Sequence, residues 1–319
     1  MTRVLLVGCG NIGSRHLQGL AKLNKKLEIE IVEPNKLSQK IGKIRLREIK
    51  SSDNHKINWF ENLEMIKDSS DLAIIATQAT NRTILINKLL QRNYKKFLIE
   101  KVVCQSSKDY QQLLREFKNH NAKGWVNTSR RYFSSYQNIR NRFPKQERLH
   151  FSIIGGNLGL GSNAIHYLDL FEWFSNEKQI FLNGDFLSDK LYKNKRGNHL
   201  IEFAGTILGT TNSGSTMNIT FLPWQNIPLT VEICTKNQCI LIDETNCNIY
   251  DYHNNRKSKF NIDFQSNLTN KIVTDILKFD KCKLPSLEES YFLHKEIFRI
   301  FLKHLKKIKN KNLIKCPIT

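Results

Sequence analysis

Several things are missing from this chain. No stretch approaches the roughly 18 apolar residues that suggest a membrane-spanning helix, so no membrane partner is expected. The seven cysteines, Cys9, Cys104, Cys234, Cys239, Cys247, Cys282 and Cys316, include no C-x-x-C pair. An odd set without metal-ligand spacing points to reduced, inert thiols and to no metal site. Cys234, Cys239 and Cys247 form the one cluster, in an alternating β pattern where small buried thiols are ordinary. The start lacks the build of a secretory leader: a single Arg3 and a few apolar residues run straight into a glycine turn, which leads us to expect a cytoplasmic protein. Internal repeats and low-complexity linkers are absent.

Acidic residues are also scarce. There are 29 Asp and Glu against 50 Lys and Arg, a formal charge of +21. The basic residues are spread along the chain, many on polar helix faces, as with Lys36, Lys40, Lys43 and Arg47. The densest block is Lys303, Lys306, Lys307, Lys309, Lys311 and Lys315. No helix-turn-helix, zinc-finger or basic–aromatic signature accompanies them, so specific nucleic-acid binding is not expected and the charge reads as solvated surface.

What is present starts at the N-terminus. Val4-Leu5-Leu6-Val7 fits a buried parallel strand, and it breaks into Gly8-Cys9-Gly10-Asn11-Ile12-Gly13 before an amphipathic helical pattern with Leu17, Leu20 and Leu23. In a dinucleotide site Gly8 allows the tight turn, Gly10 lets the backbone approach a pyrophosphate, and Gly13 lets the helix lie close on the sheet. The pyrophosphate would meet the unpaired N–H groups of the first turn, at Asn11, Ile12 and Gly13. A second strand over 27–32 closes on Glu33, 20 residues beyond Gly13, where a carboxylate accepts the hydroxyls of an adenosine ribose. Glu33 would repel a 2′-phosphate, so NAD(H) is expected over NADP(H), although Lys36 lies nearby.

Strands over 57–60, 71–77 and 97–99 alternate with helical patterns over 36–44, 63–66, 81–91 and 110–117, which predicts a doubly wound parallel sheet. Near Trp125 the pattern changes. Alternating strands over 200–203, 215–221, 229–234 and 240–243 predict a mostly antiparallel sheet, with a helix over 162–174 and two closing helices over 268–279 and 287–305. The fold class is therefore α/β. A Rossmann domain over 1–124 precedes an α+β domain over 125–319.

Ligands of open α/β sheets bind beyond the carboxyl ends of the strands. Thr77, Gln78 and Asn81 follow the fourth strand and are placed beside a nicotinamide ribose; Glu100 and Lys101 follow the fifth. The Lys101 ammonium suits a substrate hydroxyl that becomes an alkoxide. In the second domain Ser162, His166, Asp169 and Trp173 recur at helical spacing, and Asp169 is placed to support His166 as a proton carrier. Arg130 and Arg131, read as the end of a strand, are candidates for a substrate carboxylate or phosphate.

These residues resemble the Gfo/Idh/MocA oxidoreductases over nearly the whole chain. The family's Glu-Lys-Pro motif is matched by Glu100-Lys101-Val102, and its Asp-x-Gly-x-His with a following aspartate by Ser162-Asn163-Ala164-Ile165-His166 and Asp169. Val102 stands for the proline, Ser162 for the aspartate, Ala164 for the glycine, and Asn81 where many members have histidine. The resemblance implies an NAD(P)-dependent reaction on a sugar, nucleotide sugar or sugar acid, with a place in surface-glycan biosynthesis, and with Lys101 and His166 as substrate contacts and Ser162 and Asn163 beside them. It also implies a homodimer or homotetramer through the C-terminal sheet. The basic balance favours an anionic substrate. Two other readings are a reductase of a tetrapyrrole or imine and a non-catalytic dinucleotide-binding sensor or assembly protein.

Overall fold

A computed structural model describes residues 1–143, 147–224, 226–310 and 312–319, which leaves Lys311 of the basic run outside the described residues. The chain forms two compact units: Met1–Cys104 with Asp109–Ser129 and Asp263–Leu287, and Gln105–Lys108 with Arg130–Ile262 and Glu288–Thr319.

The first unit is built on β1 (Thr2–Val7), β2 (Leu27–Val32), β3 (Lys56–Phe60), β4 (Leu72–Ile75), β5 (Lys96–Ile99) and β6 (Lys123–Val126). They form a six-stranded sheet in the order β3-β2-β1-β4-β5-β6, and every pair is parallel. That order reverses direction between β1 and β4, the switch point at which such sheets place their ligands. The central strands are apolar because helices cover both faces: Val4, Leu5, Leu6, Ile74 and Leu98 are wholly buried. Helices α1 (Asn11–Ala21), α2 (Lys36–Arg47), α3 (Arg82–Gln91) and α4 (Ser107–Asn119) supply most of the cover. The pattern over 63–66 yields only a 3-10 turn, Leu63–Met65.

A linear boundary at 124/125 does not follow this packing, because the helix Gln265–Phe279 returns to the first unit. The reason is a close approach to α1. A Cβ at Gly19 would stand 2.5 Å from the Thr269 side chain and 2.7 Å from the Ser266 carbonyl.

The second unit has an eight-stranded sheet built from β7 (His150–Gly156), β8 (Ile180–Leu187), β11 (Gly205–Thr211), β12 (Thr216–Leu222), β13 (Thr230–Cys234), β14 (Cys239–Asp243), β15 (Asn248–Asp251) and β16 (Arg256–Lys259). Only the β7–β12 pair is parallel. A small hairpin, β9 (Tyr192–Lys193) with β10 (Ile201–Glu202), stands apart from it. The helices are α5 (Ser134–Arg140), α6 (Leu160–Ser175) and α8 (Leu287–Lys309), with α7 being the Gln265–Phe279 helix already placed. Alternation sends Phe151, Ile219 and Phe221 inward, where Phe151 meets Phe171 of α6 and Phe221 meets Tyr167 at ring separations of 5.8 Å each.

Two expectations are corrected. Arg130 and Arg131 lie in a 3-10 turn, Ser129–Tyr132, since β6 has already ended at Val126. Cys234 and Cys239 are joined as a disulfide rather than left as free thiols. They are directly opposed across the β13–β14 hairpin, so strand pairing puts both sulfurs on one face. Among the described residues no helix is long and apolar enough to cross a membrane.

Candidate functional site

In the first unit the chain leaves β1 through Gly8, at φ +88°, whose N–H donates to Val32 O at 2.9 Å. A Cβ there would press on Ala76 backbone at 3.0 Å, and the positive φ alone disfavours other residues. At Gly13 a Cβ would stand 2.0 Å from Gly8 O, so the crossing of turn and helix demands glycine. Gly10 is different: a Cβ at this position meets nothing within 4 Å. The glycine therefore borders open space at the start of α1. No side chain caps that helix, and its first turn holds no acidic residue. The N–H groups of Asn11, Ile12 and Gly13 and the positive end of the helix dipole are thus left to an anion. The donor set and the cradle fit a dinucleotide pyrophosphate.

Glu33 lies just past β2, buried. One carboxylate oxygen accepts from Cys9 N at 2.6 Å and the other from Asn35 N at 2.9 Å. Two backbone donors fix the group, and each oxygen keeps a lone pair for a ribose hydroxyl. Burial, with the Glu33 charge, pushes the adjacent Cys9 thiol up to about 12, so it stays protonated. Lys36 is ion-paired with Glu61 at the surface. Arg45, which sequence reasoning missed, reaches from α2 to Asn11 O at 3.0 Å and Ser14 Oγ at 2.6 Å.

After β4, Thr77 Oγ1 is buried without a hydrogen-bond partner, an orphan that a bound ribose or carboxamide would satisfy. Asn81 is exposed at the start of α3, whereas its neighbour Arg82 is buried. The Arg82 guanidinium donates to the carbonyls of Thr77, Glu100 and Val102. It ties together the two segments that carry Thr77 and Lys101. Its acceptors are backbone atoms, which leave no mark in a sequence.

Lys101 is buried directly beyond β5, and its peptide bond to Val102 is cis. Glu100 is buried in a polar chain rather than turned to solvent. It accepts from His16 Nε2 at 3.0 Å and from Asn127 Nδ2, and His16 Nδ1 meets Thr269 Oγ1 at 2.8 Å. Burial opposes its ionisation, yet the His16 hydrogen bond and charge, with Asn127, outweigh this and hold the carboxyl below its usual range. An acceptor-only carboxylate requires a proton on Nε2 of His16.

In the second unit α6 carries the sequence-predicted group. Ser162, Asn163 and His166 are partly exposed on its first turns, while Asp169, farther along the same stripe, is fully buried. The Asp169 carboxylate accepts from Arg131 Nε at 2.9 Å and Nη2 at 2.7 Å, and Arg131 also pairs with Glu172. Arg130 donates to Glu244 through Nε at 3.0 Å and Nη2 at 2.9 Å, and to Tyr167 Oη at 2.5 Å. Burial lowers the Arg130 pKa, but Glu244 and Tyr167 more than compensate, so its charge is secure. Both arginines are therefore counter-ions of internal carboxylates, not the anion ligands expected from sequence.

The first turn of α6 contacts one more acid that sequence reasoning missed. Glu202 of β10 accepts from Ser162 N at 3.1 Å, from Ser162 Oγ, and from Asn194 Nδ2 at 2.7 Å. Asn163 Nδ2 donates to Gly159 O at 3.0 Å. A Cβ at Gly159 would stand 2.0 Å from Glu202 Oε2, which explains glycine there.

The model of the Gfo/Idh/MocA oxidoreductase family, described by its NAD-binding Rossmann fold, matches residues 2–128. No curated protein sequence matches the chain. Among solved structures, UDP-N-acetylglucosamine 3-dehydrogenase GnnA from Acidithiobacillus ferrooxidans is similar with a TM-score of 0.69 at 14% identity, covering 94% of this chain and 96% of its own. The WlbA dehydrogenase from Bordetella pertussis, solved with NADH and UDP-GlcNAcA, gives 0.69 at 15% identity over 100% and 98%. The super-repressor mutant of Gal80p from Saccharomyces cerevisiae gives 0.71 at 14% over 96% of each chain. At these identities the likeness is one of fold.

Proposed function

We propose that the chain, whose residues 2–128 match the model of the Gfo/Idh/MocA oxidoreductase family, is a member of that family and an NAD(H)-dependent dehydrogenase or reductase of a sugar, nucleotide sugar or sugar acid. One observation carries the cofactor reading: the open space at Gly10 beside the uncapped start of α1. The fixed carboxylate of Glu33 and the pairing of Lys36 with Glu61 favour NAD(H) over NADP(H). The sugar class is supported by the UDP-sugar dehydrogenases that share the fold, and a place in surface-glycan biosynthesis is part of the same reading.

Bound NAD(H) supplies or takes the hydride. The chain's own residues then have three tasks. The first-turn N–H groups of α1 and Glu33 hold the dinucleotide. Lys101, positioned through Arg82, stabilises negative charge on the substrate oxygen. His166 takes the hydroxyl proton during oxidation and returns it during reduction. We assign Asp169 no proton-transfer step, since its charge serves Arg131.

The test is turnover of NADH against a panel of sugar derivatives, with His166→Ala beside the native protein. We expect the variant to lose at least about 100-fold in rate while its NADH affinity is unchanged. Native rate in the variant would remove His166 from the mechanism. A non-catalytic dinucleotide-binding role is the second reading, favoured by Val102 and Ser162 at the two motif positions; tight NADH binding with no turnover across the panel would establish it.

We also propose that a second copy covers the open face of the eight-stranded sheet. Ile154, Phe181, Phe186 and Leu208 are exposed there beside the Thr206–Thr220 hydroxyl pair. Light scattering should give the mass of a dimer or tetramer, and Leu208→Arg should lower it; a single-chain mass for the native protein contradicts this.

A further inference from the structure

With Arg130 and Arg131 committed to internal acids, the charge that would meet an anionic substrate has to come from elsewhere. The second unit holds a cavity of about 400 Å³ at the start of α6. Its wall carries Ser162, Asn163, Asn194 and Glu202 together with Lys193 and Lys195. Both lysines come from the β9–β10 hairpin and its turn and are exposed. Among the described residues neither forms an ion pair with an acid. Arg196 adds a third cation to the same wall, with Nη1 donating to Thr319 O at 2.9 Å.

The wall holds two kinds of group. Glu202 is held rigidly by Ser162 and Asn194, and Asn194 is itself buried. A fixed carboxylate with neighbouring amides reads vicinal hydroxyls, and it rejects an anion placed against it. Two ammonium groups without an acidic partner in the same wall attract one, and their flexible stems suit oxygens of phosphate or carboxylate alike. The volume is within the range of small-molecule sites.

We propose that this cavity is the specificity subsite for an anionic sugar, with Glu202, held in place by Asn194, reading ring hydroxyls and Lys193 and Lys195 binding the attached phosphate or carboxylate. This rests on the oxidoreductase reading only for the reaction; the binding itself is independent of turnover. The proposal makes Lys193 and Lys195 the determinants of charge selectivity, which neither the family likeness nor the glycine motif addresses.

The experiment is calorimetric titration of the NADH-saturated protein with three probes: UDP-N-acetylglucosamine, glucuronic acid and neutral N-acetylglucosamine. We expect at least one of the two anionic probes to bind about 10-fold or more tightly than the neutral sugar, and the tighter one tells diphosphate from carboxylate. The double variant Lys193→Glu/Lys195→Glu should erase that preference while NADH affinity and thermal stability hold. The variant Glu202→Gln should weaken the neutral and the anionic sugar by similar factors. Equal affinity for all three probes, binding of neither anionic probe, or an unchanged preference in the charge-reversed variant would each overturn the proposal. Each of these outcomes leaves NADH binding intact as a separate result, so failure of the subsite is distinguishable from failure of the oxidoreductase reading. If the double variant fails to fold, Lys193→Gln/Lys195→Gln gives the same comparison with charge removed rather than reversed.

Discussion

Arg131 holds Asp169 by two parallel hydrogen bonds, Nε and Nη2 to the two carboxylate oxygens, at 2.9 and 2.7 Å. Asp169 has no measurable exposure. A side chain that sequence spacing places beside His166 is thereby a structural counter-ion. Its removal leaves a buried guanidinium short of a partner, which typically costs about 3–5 kcal/mol. We therefore predict that Asp169→Asn lowers the unfolding free energy read from urea titration by that much. Arg131→Met in the same background should cost far less than the sum of the two single changes. Additive losses would show that the pair is not coupled.

The three glycines of the nucleotide turn are predicted to behave differently. Gly13→Ala must displace the Gly8 carbonyl, since the added carbon would lie 2.0 Å from it; both stability and NADH binding should fall. Gly10→Ala meets no protein atom, so its thermal midpoint should hold while NADH affinity drops at least about 10-fold, or roughly 1.4 kcal/mol. Parallel melting curves and titrations check this. Native NADH affinity in Gly10→Ala would mean that no ligand approaches that backbone.

Glu100 supplies a pH dependence whose sign follows from its depressed folded-state pKa. The unfolded carboxyl titrates near 4.5, its ordinary value. The contribution to stability is therefore complete above that pH and is lost as pH falls through the lower folded-state value. Glu100→Gln should flatten the acid limb of the stability curve, read by unfolding at several pH values between about 3 and 6. An acid limb of unchanged slope would show that Glu100 is not a source of it.

Much of this was legible in the sequence, for physical reasons. The strand, the glycines, the helix and Glu33 are local, so spacing alone placed them, and the alternation of strands and helices pointed to a parallel sheet. Long-range pairing was not legible. Arg131 and Asp169 are 38 residues apart, and Arg130 and Glu244 are 114 apart. Nothing in either neighbourhood marks the partner, so two arginines beside each other read as free cations. Arg82 was invisible because its acceptors are carbonyls of residues brought together only by the sheet. Glu202 was hidden in a two-residue strand whose pairing with Tyr192 needs the fold. The return of the Gln265–Phe279 helix to the first unit depends on Gly19, a helical glycine whose reason is the Thr269 side chain across from it.

The central claim is that the turn from Gly8 to Gly13, with Glu33, is a working NAD(H) site. The most direct measurement is a fluorescence titration with NADH and NADPH in parallel, on native protein and on Glu33→Ala, after any carried-over cofactor has been removed. The account predicts saturable binding, tighter for NADH, and a loss in Glu33→Ala that is about 10-fold or more for NADH and much smaller for NADPH. A folded native protein that binds neither nucleotide would contradict it.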